Sequence, residues 1–421
     1  MVDVDRLKRS WSQVVAYGDQ VPLRFYSRLF LMAPETREMF PLSMASQRDR
    51  LVAALGHTVS NVDELERVVP YLQQLGRDHR KFGVITEHYG PVGEALLATL
   101  ADFLGHEWTP DLAHDWAEAY GLVARIMIDA ADQAAQLAPP WWVAEVVAHE
   151  RRTFDIAVLS VRPEQHYDYV PGQSMAVEVP FRPRTWRYYS PANAPREDGT
   201  IDLHVRRVPG GQVSSALVDK VQKGDAVHLA SPVGHRLTLP PASPGPTGAP
   251  GAPGSAGPPG GRPSDLLMIA GGTGLAPLKA LVDHVAVRTE AGEPARDVTL
   301  FASTRTAREL YDLDALRVLE TKHPWLTVVP TLTDDPLHQG PLAPLDGSRL
   351  VEHGDVAEVA LRHGRWLDHE IYVCGSDDMV AATLQQLIDA GCPPERLHYE
   401  GFQGLGGDTF GVVDLGGRQT T

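Results

Sequence analysis

The sequence predicts a multidomain chain: an all-α region, then an antiparallel β-barrel, then an α/β region on a parallel sheet. Three observations carry this. Apolar residues recur at three- and four-residue spacing through residues 1–135. After Pro139–Pro140–Trp141–Trp142 the period changes to short β-rich runs separated by Gly and Pro. Beyond residue 264 strand runs alternate with helical segments.

The helical region, assigned to 1–138, is built from amphipathic stripes. Leu23, Tyr26, Leu29 and Phe30 form one; Leu51, Leu55 and Val59 form another; Leu65, Val68, Val69, Leu72 and Leu75 a third. GPVGEALLATLADFLG and HDWAEAYGLVARIMIDAADQAA are two further long segments. Pro91 suits the first turn of a helix, and Pro34 and Pro41 mark breaks. Six to eight packed helices are expected.

The runs RRTFDIAVLSVRP, SMAVEVP, IDLHVRRV and AVHLASPVG predict a barrel of about six strands over roughly 143–239. Residues 240–263 follow, with nine Pro and seven Gly among 24 and no Gly-X-Y period. They read as a spacer inside a 143–263 domain, not as collagen. LLMIA, VTLFAS, LTVVPTL and IYVCG are buried-looking strand runs of an α/β domain at 264–403, and 404–421 is a tail.

Composition narrows the function. The 38 Lys+Arg against 54 Asp+Glu give a formal charge of -16, which disfavours a general nucleic-acid or anionic-membrane surface. No run of eighteen apolar residues predicts a membrane span, and the N-terminus lacks the apolar core of a signal peptide. A soluble, cytoplasmic protein is expected. Two cysteines, Cys374 and Cys392, offer no disulfide framework and no four-Cys cluster site.

LLMIAGGTGLAP reads as strand, glycine turn, helix. Gly271, Gly272 and Gly274, with Thr273 between them, let the backbone turn tightly and approach a ligand, and the helix N-terminus can face a pyrophosphate. IYVCGSDDMV is a second strand-to-helix turn, placing Cys374 and Gly375 at the same sheet edge. Cys374 suits a place beside a planar ring, and equally a buried strand end. In the barrel, WRYYSPAN offers Arg187, Tyr188, Tyr189 and Ser190 for phosphate pairing, ring stacking and hydrogen bonding. GGQVSSALVD offers a second phosphate cradle with Gly211, Gln212, Val213 and Ser214. In the helical region His57, His79, His88, His106 and His114 are candidate iron ligands. His79 is the best of them, because it ends an apolar helix with Phe82 three residues on. Tyr26 and Gln47 are candidates for a polar pair on the opposite side, with Leu51 one turn after Gln47.

Residues 143–403 resemble the ferredoxin–NADP reductase family through RYYS at 187–190, GGQVSS at 210–215, GGTGLAP at 271–277, YVCGS at 372–376 and HYEGF at 398–402. The resemblance implies FAD in the barrel and NAD(P)H in the α/β domain. Arg187 would meet the FAD phosphates, Tyr189 and Ser190 the isoalloxazine, and Gln212, Val213 and Ser214 the pyrophosphate. Gly272, Thr273 and Gly274 would line the nicotinamide nucleotide, with Glu400 and Phe402 at the flavin–nicotinamide junction. Residues 1–135 resemble a bacterial globin through FYSRLF, REMFP, SQRDRLVAAL, HRKF and YGPVGEALLATL. Together the chain resembles a flavohaemoglobin. That implies haem b with His79 as proximal ligand, Tyr26 and Gln47 as the distal pair, Leu51 closing the pocket, Phe40 against the porphyrin and Tyr89 orienting the imidazole.

The implied activity is a nitric oxide dioxygenase. Electrons pass from NAD(P)H to FAD to haem, where O2 oxidises nitric oxide to nitrate in a self-sufficient monomer. NADH is the favoured donor and NADPH the alternative, since Ser303, Arg305 and Arg308 lie just past a strand. An arginine there could reach a 2′-phosphate or pair with Asp312 or Asp314. A haem-containing flavin reductase and an oxygen-sensing redox protein are the other readings. One departure stands out. The family usually carries a glutamate behind the proximal histidine, where this chain places Gln133, beside Asp132. Either the register slips by a residue, or the proximal relay is weakened or absent, and the pair reads equally as a solvated helix end.

Overall fold

The computed structural model describes residues 2–240, 263–334 and 351–401. Most of the Pro/Gly-rich segment, the tail and Phe402 lie outside them. The chain divides into two compact units: residues 1–142 with 182–185, and residues 143–181 with 186–421.

The first unit is helical. Its elements are α1 (Val4–Val15), α2 (Gln20–Met32), α3 (Ala45–Ser60), α4 (Leu65–His79), α5 (Tyr89–Leu104) and α6 (Pro110–Leu137). Side chains cap the first and last of these. Asp3 accepts from the Arg6 amide at 2.9 Å, and Thr109 accepts from the Leu112 amide at 3.2 Å. The core is a cluster of Leu7, Trp11, Phe25, Leu29, Leu96, Leu100 and Trp116 from α1, α2, α5 and α6. Two glycines permit close helix crossings. A Cβ on Gly76 would stand 2.2 Å from the Met127 carbonyl oxygen, and one on Gly93 would stand 2.4 Å from the Tyr120 ring. So α4 and α5 pack on α6 backbone to backbone or backbone to ring, and neither position accepts a larger residue without displacement. Pro70 sits inside α4, so Leu65–His79 is one helix despite it.

The second unit opens with β1 (Trp142–Arg151), β2 (Ile156–Pro163), β3 (Met175–Glu178), β4 (Arg187–Tyr189), β5 (Ile201–Arg206), α7 (Gln212–Asp219) and β6 (Ala226–Leu229). The strand order is β4-β3-β6-β1-β2-β5, and an antiparallel bridge between Pro191 and Leu203 brings the two ends together into a nearly closed barrel. Inward residues alternate along β5, where Ile201, Leu203 and Val205 are buried.

The unit continues through β7 (Leu266–Gly271), α8 (Leu275–Glu290), β8 (Val298–Thr304), α9 (Leu313–Lys322), β9 (Leu326–Leu332), β10 (Glu352–His353), α10 (Val356–His363), β11 (Glu370–Gly375), α11 (Asp377–Asp389) and β12 (Leu397–Gly401). The sheet order is β10-β9-β8-β7-β11-β12, with all five neighbouring pairs parallel. Its order reverses at β7 and β11. The turns after these two strands therefore open a crevice at their carboxyl ends, where α/β sheets take their ligands. Leu266 to Ile269 are wholly buried, because helices cover both faces.

Candidate functional site

In the helical unit an imidazole is fixed by backbone. His79 ends α4, and its Nδ1 lies 2.7 Å from the carbonyl oxygen of Leu75, one turn earlier. Burial pushes the imidazole pKa below its usual value, so the ring is neutral. A neutral ring donating from Nδ1 keeps its lone pair at Nε2, the form a metal needs. Phe82 stands edge-on to it at 6.4 Å. Tyr89 is half-buried and packs in the same small cluster as Leu75, but its hydroxyl is not the partner of Nδ1. The orienting group expected in Tyr89 is instead the Leu75 carbonyl. Tyr89 serves the helix pairing, its own carbonyl accepting at 2.5 Å from the Tyr120 hydroxyl.

Asp132, not Gln133, is the group whose negative charge reaches the Tyr89 hydroxyl; with burial it lifts that pKa to about 12. Sequence reasoning missed a closer acidic group. Asp78 is adjacent to His79 and holds the buried Lys81 ammonium at 2.5 Å. The imidazole feels both charges with opposite sign.

The expected distal residues do meet. Tyr26 is buried in an aromatic box, with ring centroids 5.8 Å from Phe30 and 5.4 Å from Phe40. Its hydroxyl donates to the Gln47 backbone carbonyl at 3.4 Å, and a hydrogen bond with the Gln47 side chain acts on the phenol as well. That bond is long enough to be exchanged for a better acceptor. Burial raises the Tyr26 pKa to about 12, so the hydroxyl keeps its proton at any working pH. Arg50, on α3, is felt by both the Tyr26 hydroxyl and the Lys81 ammonium.

Phe40, Leu51, Val52, Leu55, Val92 and Leu97 pack against the core yet stay half-buried. Along α3 Val59 alone of the described side chains is fully buried. An apolar wall of half-covered side chains, with a neutral imidazole ready to ligate, fits a flat apolar macrocycle held by one axial bond. His57, His88, His106 and His114 are not held this way; His88 instead accepts from the Ile85 amide.

In the barrel, Tyr188 and Tyr189 end β4 half-buried, and Ser190 is buried with its hydroxyl 3.1 Å from that of Ser174. Burial raises the Tyr189 phenol pKa, so it stays neutral. Arg187 is exposed, one guanidinium nitrogen donating to the Trp186 carbonyl. Gly211 caps α7, and Ser214 Oγ accepts from the Val208 amide at 3.2 Å, which closes the loop that starts the helix. Gln212 and Val213 form the first turn of α7, so their amides are among those left without partners inside the helix. These groups suit an anionic, ring-bearing ligand.

The nucleotide cradle is a backbone structure. Gly271 ends β7, and Gly272–Gly274 make a single turn before α8. Gly272 has φ +55°, open to glycine without strain. A Cβ on Gly274 would stand 2.3 Å from the Cys374 carbonyl oxygen, and one on Gly375 would stand 3.3 Å from the Gly271 Cα. The two turns touch. Cys374 is buried at the end of β11, and burial raises its thiol pKa, so it is no nucleophile. Beside it in register on β12 is Glu400, whose carboxyl burial pushes up to about 7. Phe402, expected at the same junction, lies outside the described residues.

Ser303 is buried at the end of β8. Arg305 pairs with Glu309 at 3.3 Å, neither with Asp312 nor with Asp314. The same carboxylate takes Arg206 of β5 at 2.6 Å, and Arg206 holds Asp155 at 2.8 Å. Asp312 is tied to Lys279 at 2.6 Å. Next to it His204 of β5, buried and pushed down to about 3, shares a 2.8 Å hydrogen bond with the Tyr311 hydroxyl. Barrel and sheet are thus joined by polar pairs. No local pattern in the sequence announces them, since Arg206–Glu309 and His204–Tyr311 span 103 and 107 positions.

Three family profiles match this chain: globin over residues 23–127, the oxidoreductase FAD-binding domain over 143–237 and the oxidoreductase NAD-binding domain over 268–385. A flavohemoprotein of Bacillus subtilis is 27% identical over 424 residues, which cover 95% of this chain and 96% of that one. Along nearly its whole length the chain is similar to flavohaemoproteins.

Its oxidoreductase part is also 30% identical to the ferredoxin–NAD(P)(+) reductase component of a naphthalene 1,2-dioxygenase system of Pseudomonas putida, over 61% of this chain and 67% of that one. A flavohemoglobin crystal structure from Malassezia yamatoensis, with FAD and haem bound, superposes with a TM-score of 0.69. It covers 95% of this chain and 98% of that one at 17% identity, and so speaks for the fold. With a globin domain and FAD- and NAD-binding oxidoreductase domains, the chain is an oxidoreductase that takes haem, FAD and NAD(P)H. Among the described residues no helix is long and apolar enough to cross a membrane.

Proposed function

We propose that this protein is a nitric oxide dioxygenase that uses NADH. The observation that carries the reading is Tyr26. It is a phenol kept protonated by burial, its hydroxyl bound only weakly to Gln47, in an apolar box on a globin fold fused to its own reductase. FAD when bound supplies the step from hydride to single electrons, and haem supplies an iron centre for O2.

The chain's own residues set the conditions. His79 offers Nε2 as axial donor, with Leu75 holding the ring. Tyr26 donates a hydrogen bond where negative charge develops on oxygen, in a dry apolar surround that strengthens it. Asp78 and Lys81, paired with each other, act on the imidazole with opposite sign. Glu400, titrating near neutrality, holds or releases a proton beside the nucleotide turns. Glu309 supports NADH, because it holds Arg305, just past the end of β8, and Arg206.

The deciding experiment supplies NADH, O2 and nitric oxide to the FAD- and haem-loaded protein. Nitrate formed in step with nitric oxide consumed is the expected result. NADH oxidation without nitrate leaves a flavohaem reductase and removes the dioxygenase.

A further inference from the structure

One cation at the rim of the helical pocket is left without a counter-ion. Gln47, Arg50, Leu51 and Ala54 recur at three- and four-residue spacing along α3 and so share one face. Gln47 meets Tyr26 at the start of that face, and Leu51 packs against the core beside it. Arg50 stands between them, half-buried. Among the described residues no hydrogen bond, ion pair or ring contact engages it. Asp49, its neighbour in sequence, is exposed and does not pair with it.

The reach of its charge locates the guanidinium. It acts on the Tyr26 hydroxyl of α2 and on the Lys81 ammonium, two residues beyond His79. Arg50 is therefore at the side of the pocket, between the phenol and the segment that carries the imidazole. Tyr26 is buried while Arg50 keeps partial contact with water, so Arg50 marks the open edge.

The charges at this edge do not balance. Tyr26 is protonated and His79 is neutral. Lys81 is matched by Asp78 at 2.5 Å. Arg50 has no such match. A cation half withdrawn from water beside an apolar wall gains most from an anion brought to it. Haem b brings two. Its apolar ring belongs inside against the half-buried wall, and its two propionate carboxylates belong at the open edge. The planar guanidinium fork suits a carboxylate.

We propose that Arg50 pairs with a haem propionate at the open edge of the helical pocket. The proposal rests on the haem reading of this unit and not on the nitric oxide chemistry.

The test follows haem loss from the ferric, FAD- and haem-loaded protein to an excess of an acceptor apoglobin, read from the Soret band. Each form of the protein is loaded with haem b or with its dimethyl ester, whose propionates carry no charge. Haem b should leave Arg50→Met several-fold to about tenfold faster than the wild type, while the ester leaves both at one rate. Added salt should speed the loss of haem b from the wild type more than from Arg50→Met. Arg50→Lys, which keeps the charge without the fork, should restore part of the retention. An equal rate of haem b loss from wild type and Arg50→Met overturns the pairing and leaves the pocket standing. Equal acceleration for the ester also overturns it, since Arg50 would then act by packing. So does Arg50→Met that retains haem b normally but binds cyanide more weakly at the ferric iron, because the guanidinium then faces the iron ligand. Should Arg50→Met not fold, Arg50→Gln takes its place and the same two haems decide. A wild type that takes up neither haem overturns the pocket and the pairing together.

Discussion

The two units build their sites from opposite materials. The helical unit uses side chains: Tyr26 from α2, Leu51 from α3, His79 from the end of α4 and Val92 from α5, most of them left half-buried. The nucleotide cradle uses backbone. Gly271, Gly272 and Gly274 bring no side chains, and the strand beneath them is wholly buried. A side-chain site fails when atoms are removed, while a backbone site fails when atoms are added.

The largest expected effect tests the first half of that contrast. His79→Ala removes the proposed axial donor, whose ring the Leu75 carbonyl holds in the ligating form. Haem content should fall below about a tenth, because the apolar wall alone lacks the metal bond. FAD reduction by NADH should persist. Full haem occupancy in the variant, read from the Soret band, would end the ligand assignment.

Adding atoms should be nearly as damaging in the other unit. Gly274→Val places a branched side chain where even a Cβ meets the Cys374 carbonyl at 2.3 Å. Overpacking of about 1–3 kcal/mol corresponds to roughly five- to 150-fold slower flavin reduction by NADH. Haem content should not change. Stopped-flow bleaching of the flavin gives the answer, and a wild-type rate would mean the turns do not approach the nucleotide.

A gentler change sharpens the picture of the helical pocket. Tyr26→Phe keeps the aromatic box and deletes one hydrogen-bond donor. The loss of a bond to a developing charge, about 1.5–3 kcal/mol, should raise the O2 concentration for half-maximal nitric oxide turnover by roughly ten- to 100-fold. Flavin reduction should stay at the wild-type rate. The reverse pattern would move Tyr26 out of the O2 pocket.

Smaller still is the effect of Glu309→Ala, which leaves Arg305 and Arg206 without their shared carboxylate. The ratio of kcat/KM for NADPH over NADH should rise several-fold. An unchanged ratio would place the specificity elsewhere.

The smallest effect concerns pH. Glu400 has its folded pKa raised from 4.5 to about 7 by burial, so its neutral form suits the fold. Its contribution to stability is therefore full below about pH 4.5 and is lost as pH rises through about 7. Glu400→Gln should flatten the unfolding midpoint across that window. A wild-type pH profile in the variant would assign the slope to other groups.

The glycine turns, α7 and the strand runs were legible because each is contiguous in sequence and obeys a local rule. His79 was legible for a similar reason, at the end of an apolar helix. Its orienting partner was not. Tyr89 looked suitable, but the group in reach is a carbonyl one helical turn back, which every helix possesses and no sequence pattern marks. Gln47 was legible as a neighbour of Tyr26, but the share its backbone carbonyl takes in that contact was not, since every residue carries one.

The sequence by itself determined the three kinds of architecture, their order and the cofactor classes. Periodicity and glycine placement are local properties that report which surface each segment must bury. Only the tertiary structure decided the pairings that cross the chain: Arg206 with Glu309 and His204 with Tyr311. Charge and hydrogen bonding act over a few ångströms of space. Which groups come that close depends on how the elements pack, and no span of neighbouring residues encodes it.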